Sequence, residues 1–201
     1  MRLAHLLRFV TLTIVAISLD ACASPEPPRR EVSIASSLET AREKGYEWEV
    51  SVLEDGTISA GEYEQAYDRY MDCQVALGYV FDKPKYLDPV EGQRWQALSE
   101  YRGAGDAPLD KMAECDSRIF LIEDPYVVTT PKVMDPQLMA KLRSCLDEKG
   151  IPYRGDEVNF NDFTSGLGDD AYRDSDSPYT SCLLDSAFEL FPDLISVGYG
   201  R

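Results

Sequence analysis

The sequence predicts a mainly α domain with minor β content, compact and stapled by disulfides. Three observations carry this. Apolar residues recur at helical spacing behind recognisable cap signals. Segments with strand character are few and short. Four cysteines, Cys73, Cys115, Cys145 and Cys182, lie in a chain that opens with an export signal.

The opening segment sets the frame. Arg2 and Arg8 form a positive region, and residues 9–19 (FVTLTIVAISL) are uncharged. That stretch is too short for a hydrocarbon core of about 30 Å and reads as a signal peptide over residues 1–21. Two cleavage readings stand. Leu19-Asp20-Ala21-Cys22 resembles a bacterial lipobox, with Asp20 in place of the usual small uncharged residue. Cys22 would then carry a lipid through its sulfur. Ala21-Cys22-Ala23 also fits an ordinary A-x-A site that would release a soluble protein. With the lipid, residues 22–34 form a tether. Its three prolines favour extended backbone at about 3.1 Å per residue, so ten residues reach about 30 Å. Two acyl chains suffice for stable anchoring. The mature chain of roughly 180 residues is long enough for a true core, and residues 35–201 are expected to form one extracytoplasmic domain.

The elements follow in order. Residues 36–45 read as a short helix closed by Gly45. Residues 47–55 bring Trp48, Val50, Val52 and Leu53; their alternation would suit a strand, but a short helix ended by Gly56 is preferred, with Val50, Val52 and Leu53 as core. Ser59 and Glu62 form a capping box. It opens a helix with Tyr63, Tyr67, Tyr70, Cys73 and Leu77 on one stripe, stopped by Gly78. Residues 79–81 and 94–102 have strand or short-helix character, and 103–108 is a loop. The next helix is expected over residues 109–123. Asp135-Pro136 is an N-cap with proline at the first helical position, opening a helix that reaches Gly150. Residues 166–178 form an acidic loop, and Ser177-Pro178 starts the last helix, through Cys182 to about Phe191.

The cysteines echo internally. YMDCQVALGY around Cys73 resembles LRSCLDEKGIPY around Cys145, each with glycine five residues after the cysteine (Gly78, Gly150). The contexts of Cys115 and Cys182 echo more weakly. This suggests two helix–extended–helix units, residues 57–126 and 135–195, bridged Cys73–Cys115 and Cys145–Cys182. Crossed bridges are the alternative. Each loop of about 40 residues would contribute roughly 4 kcal/mol on the chain-entropy account. The absence of a CxxC pair speaks against metal or redox chemistry.

Charge and composition exclude several functions. The net charge is −16, and removal of the signal makes it one unit more negative. Such a surface repels nucleic-acid phosphates, so no nucleic-acid partner is expected. His5, the only histidine, lies in the signal peptide. The mature chain therefore holds no Ser-His-Asp or Cys-His nucleophile system and no histidine-ligated zinc. No GxGxxG, GxxxxGK[ST] or HExxH pattern occurs, and no cofactor is expected.

LEDGTISAGEYE (residues 53–64) has the appearance of half an EF-hand loop. With Gly56 at loop position 6, Asp55 falls at position 5 and Glu62 at position 12. Ser51 and Leu53 stand where further oxygen ligands belong, so Asp55 and Glu62 are weak calcium candidates. A helix junction explains the same letters: Gly56 ends one helix, Ile58 staples the next, and Glu62 completes its cap. Asp169, Asp170, Asp174 and Asp176 are a second acidic cluster, read as solvated. Tyr63, Tyr67 and Tyr70 read as a packing face, and Trp95, beside Arg94 and near Tyr101, as a candidate binding aromatic.

DGTISAGEYEQAYDRYMDC followed by Gly78, together with the lipobox, resembles a group of small exported lipoproteins common in actinobacteria. Members carry D-G-x-[IV]-[TS]-x-x-E-Y-E-x-A on a helix that ends in cysteine. The match covers residues 53–78. It implies location and a non-enzymatic protein, and it carries no mechanism. The expected function is a membrane-anchored extracytoplasmic lipoprotein that acts by binding an envelope protein or wall component. A secreted calcium-binding module using Asp55 and Glu62 is the first alternative. A glycan hydrolase using carboxylates alone is the second.

Overall fold

The computed structural model describes residues 32–165, 177–194, 196 and 197. The signal, Cys22 and the acidic cluster Asp169, Asp170, Asp174 and Asp176 lie outside these.

The chain is mainly α, with seven helices and two short antiparallel strand pairs among the described residues. Helix α1 (Ile34–Lys44) starts earlier than the sequence suggests. Ser33 caps it, and Ser36 reciprocates in a capping box. Residues 33 and 34, assigned from sequence to a tether, belong to this helix and its cap. Helix α2 (Glu47–Leu53) follows at once, and Gly56 turns the chain at φ +79°. Helix α3 (Ala60–Ala76) is opened by the predicted capping box, in which Ser59 Oγ accepts from the Glu62 N–H and the Glu62 carboxylate accepts from the Ser59 N–H.

Strands β1 (Tyr79–Phe81) and β4 (Ser99–Tyr101) pair around the inner hairpin of β2 (Tyr86–Leu87) and β3 (Trp95–Gln96). Helix α4 (Leu109–Thr129) runs through Pro125, past its expected end near Glu123. Proline removes one backbone donor, yet the turn beyond it buries Tyr126 with its ring centroid 4.5 Å from that of Tyr63. That packing outweighs local propensity. Helix α5 (Pro136–Glu148) is capped by Asp135, whose carboxylate accepts from the Gln137 and Leu138 N–H groups. Helix α6 (Phe160–Thr164) was not expected. It is capped by Asn159 with Asp162 and buries Phe160 and Phe163. Helix α7 (Pro178–Leu190) closes the fold.

The disulfides are Cys73–Cys115, joining α3 to α4, and Cys145–Cys182, joining α5 to α7. Each staples one of two apolar clusters. The first draws Ala41, Leu53, Tyr63, Tyr67, Ile119 and Ile122 from α1 to α4. The second draws Leu138, Leu142, Leu146, Phe160 and Leu183 from α5 to α7. The internal echo is thus uneven. The first pair of helices is joined through strands, whereas the connection after α5 is irregular over 151–158 and then folds into α6.

The segment after β2 links the clusters. Val90 is fully buried in the second cluster, whereas Trp95 and Ala97, a few residues on, pack on the first. Asp88 is also buried, and its carboxylate accepts from the Val90 N–H at 3.1 Å. The Gln93 amide donates to the carbonyls of Val127, at 3.0 Å, and Thr130 at the end of α4. The Asp135 and Val133 N–H groups donate to the Pro89 and Glu91 carbonyls. Two intramolecular disulfides point to an oxidising, extracytoplasmic compartment. Among the described residues no helix is long and apolar enough to cross a membrane.

Candidate functional site

A cavity of about 420 Å³ opens between α2, α3 and α4. Helix α2 contributes Trp48 and Glu49. Helix α3 contributes Ala66, Arg69, Tyr70, Asp72 and Cys73. Helix α4 contributes Cys115, Arg118 and Ile119. The helical period explains the grouping. Ala66, Arg69, Tyr70 and Cys73 are three and four apart on α3, and Cys115, Arg118 and Ile119 likewise on α4, so each set shares one face. The Cys73–Cys115 bridge fixes the spacing of the two faces.

Two charged pairs line this cavity and differ in kind. Glu49 is only 3 % exposed. Arg118 donates from Nε to its Oε1 at 2.7 Å and from Nη2 to its Oε2 at 3.0 Å. This two-pronged contact satisfies a buried carboxylate with matched geometry. The same guanidinium lies 4.9 Å from the Tyr46 ring, and its proton is held more firmly than usual, chiefly by the hydrogen bond to Glu49.

The second pair is open. Arg69 stands with its guanidinium carbon 4.6 Å from the centroid of the Trp48 ring. Asp72 lies three residues further along α3. Among the described residues neither has an ion-pair or hydrogen-bond partner, whereas Lys83, Lys85, Arg94, Arg102, Lys132 and Lys141 all meet carboxylates. Burial, reinforced by the nearby Asp116, pushes the pKa of Tyr70 upward.

The sequence-predicted residues fall elsewhere. The Asp55 carboxylate accepts from the Thr57 N–H at 2.9 Å and from its hydroxyl at 3.1 Å. Glu62 accepts from the Ser59 N–H at 2.8 Å and hydroxyl at 2.6 Å. Both carboxylates serve the α2–α3 junction. Tyr63 and Tyr67 are buried, as a packing face requires. Tyr63 donates to Glu123 at 2.8 Å and accepts from the Trp95 N–H at 3.1 Å, and Glu123 also holds Arg94. Burial, then Glu123, pushes the Tyr67 hydroxyl up to about 12.

Trp95 is not the free aromatic its neighbours suggested. It packs on the first cluster, and the Lys85 ammonium covers its ring at 4.8 Å. The tryptophan that borders the cavity is Trp48, beside Tyr70. The signal lay in EWEV: strict helical spacing from Val52 and Leu53 turns Glu49 inward and leaves Trp48 at the edge.

Comparison with protein-family models, with curated proteins and with solved structures gives no match. The fold and site define a mainly α, disulfide-stapled domain with an amphoteric, aromatic-edged cavity on its first helical group.

Proposed function

We propose that this chain is a lipid-anchored extracytoplasmic binding module, held at the cell envelope through Cys22 and presenting the α2–α4 cavity to its ligand or partner. The observation that carries the reading is the open pair in that cavity. Arg69 and Asp72 are unneutralised while the neighbouring Glu49–Arg118 pair is closed on itself. Convergent polar groups over an apolar concavity are the usual build of a recognition site. The same closure favours binding over glycan hydrolysis, because both oxygens of Glu49 are occupied by Arg118 and are not free for acid–base work. The N-terminal signal, the lipobox-like Cys22 and the proline-rich tether support the location.

The test is a photoreactive residue placed in cells at Ala76, exposed one turn beyond Asp72 on α3, with the same residue at Lys149, at the end of α5, as control. Adducts at 76 that are absent at 149, on a protein whose intact mass begins at a lipidated Cys22, support the reading. Equal labelling at both positions, or a mass beginning at Ser24 without lipid, overturns it.

A further inference from the structure

Resting on that reading of the cavity, we infer that its ligand is a zwitterionic α-amino acid with an apolar side chain. Arg69 and Asp72 are three residues apart on α3, where side chains are neighbours with Cβ atoms about 5–6 Å apart, and both line the cavity. They offer one cation and one anion at a separation that matches the carboxylate and ammonium of a single amino acid. The two side chains do not meet each other, so neither must be freed before a ligand binds. An α-carboxylate takes two parallel N–H donors from Arg69. An α-ammonium donates to the Asp72 carboxylate.

The remaining surface accounts for the side chain. Ala66, Ile119 and the Cys73–Cys115 bridge supply an apolar floor, and Trp48 supplies one wall. Arg69 is already stacked against Trp48, which orients its fork without consuming its donors. The volume of about 420 Å³ lies at the small end for ligand sites, about 300–1,000 Å³.

Net charge selects among ligands of this size. The chain carries −16, and a field of that sign opposes the approach of a simple anion to Arg69. A zwitterion carries no net charge. It meets no long-range repulsion, and its dipole aligns from Arg69 to Asp72. A plain amine would satisfy Asp72 and leave Arg69 bare. A plain carboxylate would do the converse against the field.

Isothermal titration of the full chain, purified in detergent, decides the matter. The probes are L-leucine and L-phenylalanine, with leucinamide, N-acetyl-leucine and isoamylamine as analogues lacking one charge. The expectation is saturable heat with the free amino acids and affinity about tenfold or more weaker for each analogue, the usual effect of losing one charge-assisted contact. Arg69→Met and Asp72→Asn, both exposed and without ion-pair or hydrogen-bond partners among the described residues, should each cost a similar factor while circular dichroism and the melting temperature stay unchanged. No heat at millimolar amino acid with folded protein, or analogues that bind as well as the free amino acids, overturns the inference. The cellular adduct at position 76, which leaves Arg69 and Asp72 in place, separates this failure from that of the binding module. An adduct that amino acids do not displace removes the ligand class alone. Loss of the site-specific adduct removes both.

Discussion

The buried carboxylate of Glu49 is gripped from both sides of its fork by Arg118, at 2.7 and 3.0 Å, one helix against another. Removing the cation strands a charge that is 3 % exposed. Arg118 is itself partly open to water, so the penalty falls below the 3–5 kcal/mol of a fully buried pair. Arg118→Met should lower stability by about 2 kcal/mol, read as a lower urea midpoint at unchanged slope. Arg69→Met, in the same cavity, should change it by no more than about 0.5 kcal/mol. Equal losses would mean that the two arginines share one structural role.

Asp88 gives the domain a pH signature. Burial, partly offset by the Val90 N–H, raises its carboxyl from 3.8 to about 6. The folded state thus binds its proton more tightly than the unfolded chain does. The associated stability is fully present below about pH 4 and is lost as pH rises through about 6. Asp88→Asn keeps an oxygen for the Val90 N–H without the buried charge. It should stabilise the protein by about 2 kcal/mol at pH 7 and leave it nearly unchanged at pH 4. Thermal melts at the two pH values check this, and a variant less stable at pH 7 would refute it.

Gly92 and Gly56 separate two costs of a side chain. Both have positive φ, but a Cβ on Gly92 would lie 2.5 Å from the Val133 carbonyl oxygen, whereas one on Gly56 meets open space. Gly56→Ala should cost about 1–2 kcal/mol for the left-handed backbone alone. Gly92→Ala should cost clearly more, because it also parts the 88–93 segment from the strand of chain before α5. Chemical denaturation of the two variants in parallel gives the comparison.

The α2–α3 junction makes a further distinction. If Ser59, Glu62 and Asp55 are cap and turn residues, Ser59→Ala should lower stability by about 1 kcal/mol. Millimolar calcium should then produce neither heat in a titration nor a shift of the melting temperature. A calcium-dependent rise in melting temperature that Glu62→Gln abolishes would restore the loop as a metal site.

Helices whose stop and start signals are local were legible from the sequence. The Ser59–Glu62 box, the Asp135-Pro136 start and the glycines at 45 and 78 each act through backbone groups a few residues away. The misread ends are those decided at a distance. Helix α4 continues through Pro125 because Tyr126 finds Tyr63, a contact no window along the chain contains. Helix α6 carried a readable Asn159–Asp162 cap, but five residues form no periodic stripe. The site was harder still. Trp48, Arg69 and Arg118 lie on three helices, and only the packed structure shows that Arg118 is spoken for and Arg69 is not.

The bridges join Cys73 to Cys115 and Cys145 to Cys182, each to the next in order along the described residues. Neither loop encloses or crosses the other. A chain delivered from its N-terminus through a narrow exit presents Cys73 and Cys115 before Cys145 emerges. An oxidase that joins cysteines in order of arrival therefore makes the native pairing at its first attempt. Biogenesis of this domain needs a source of oxidising equivalents and no reshuffling of wrongly joined thiols.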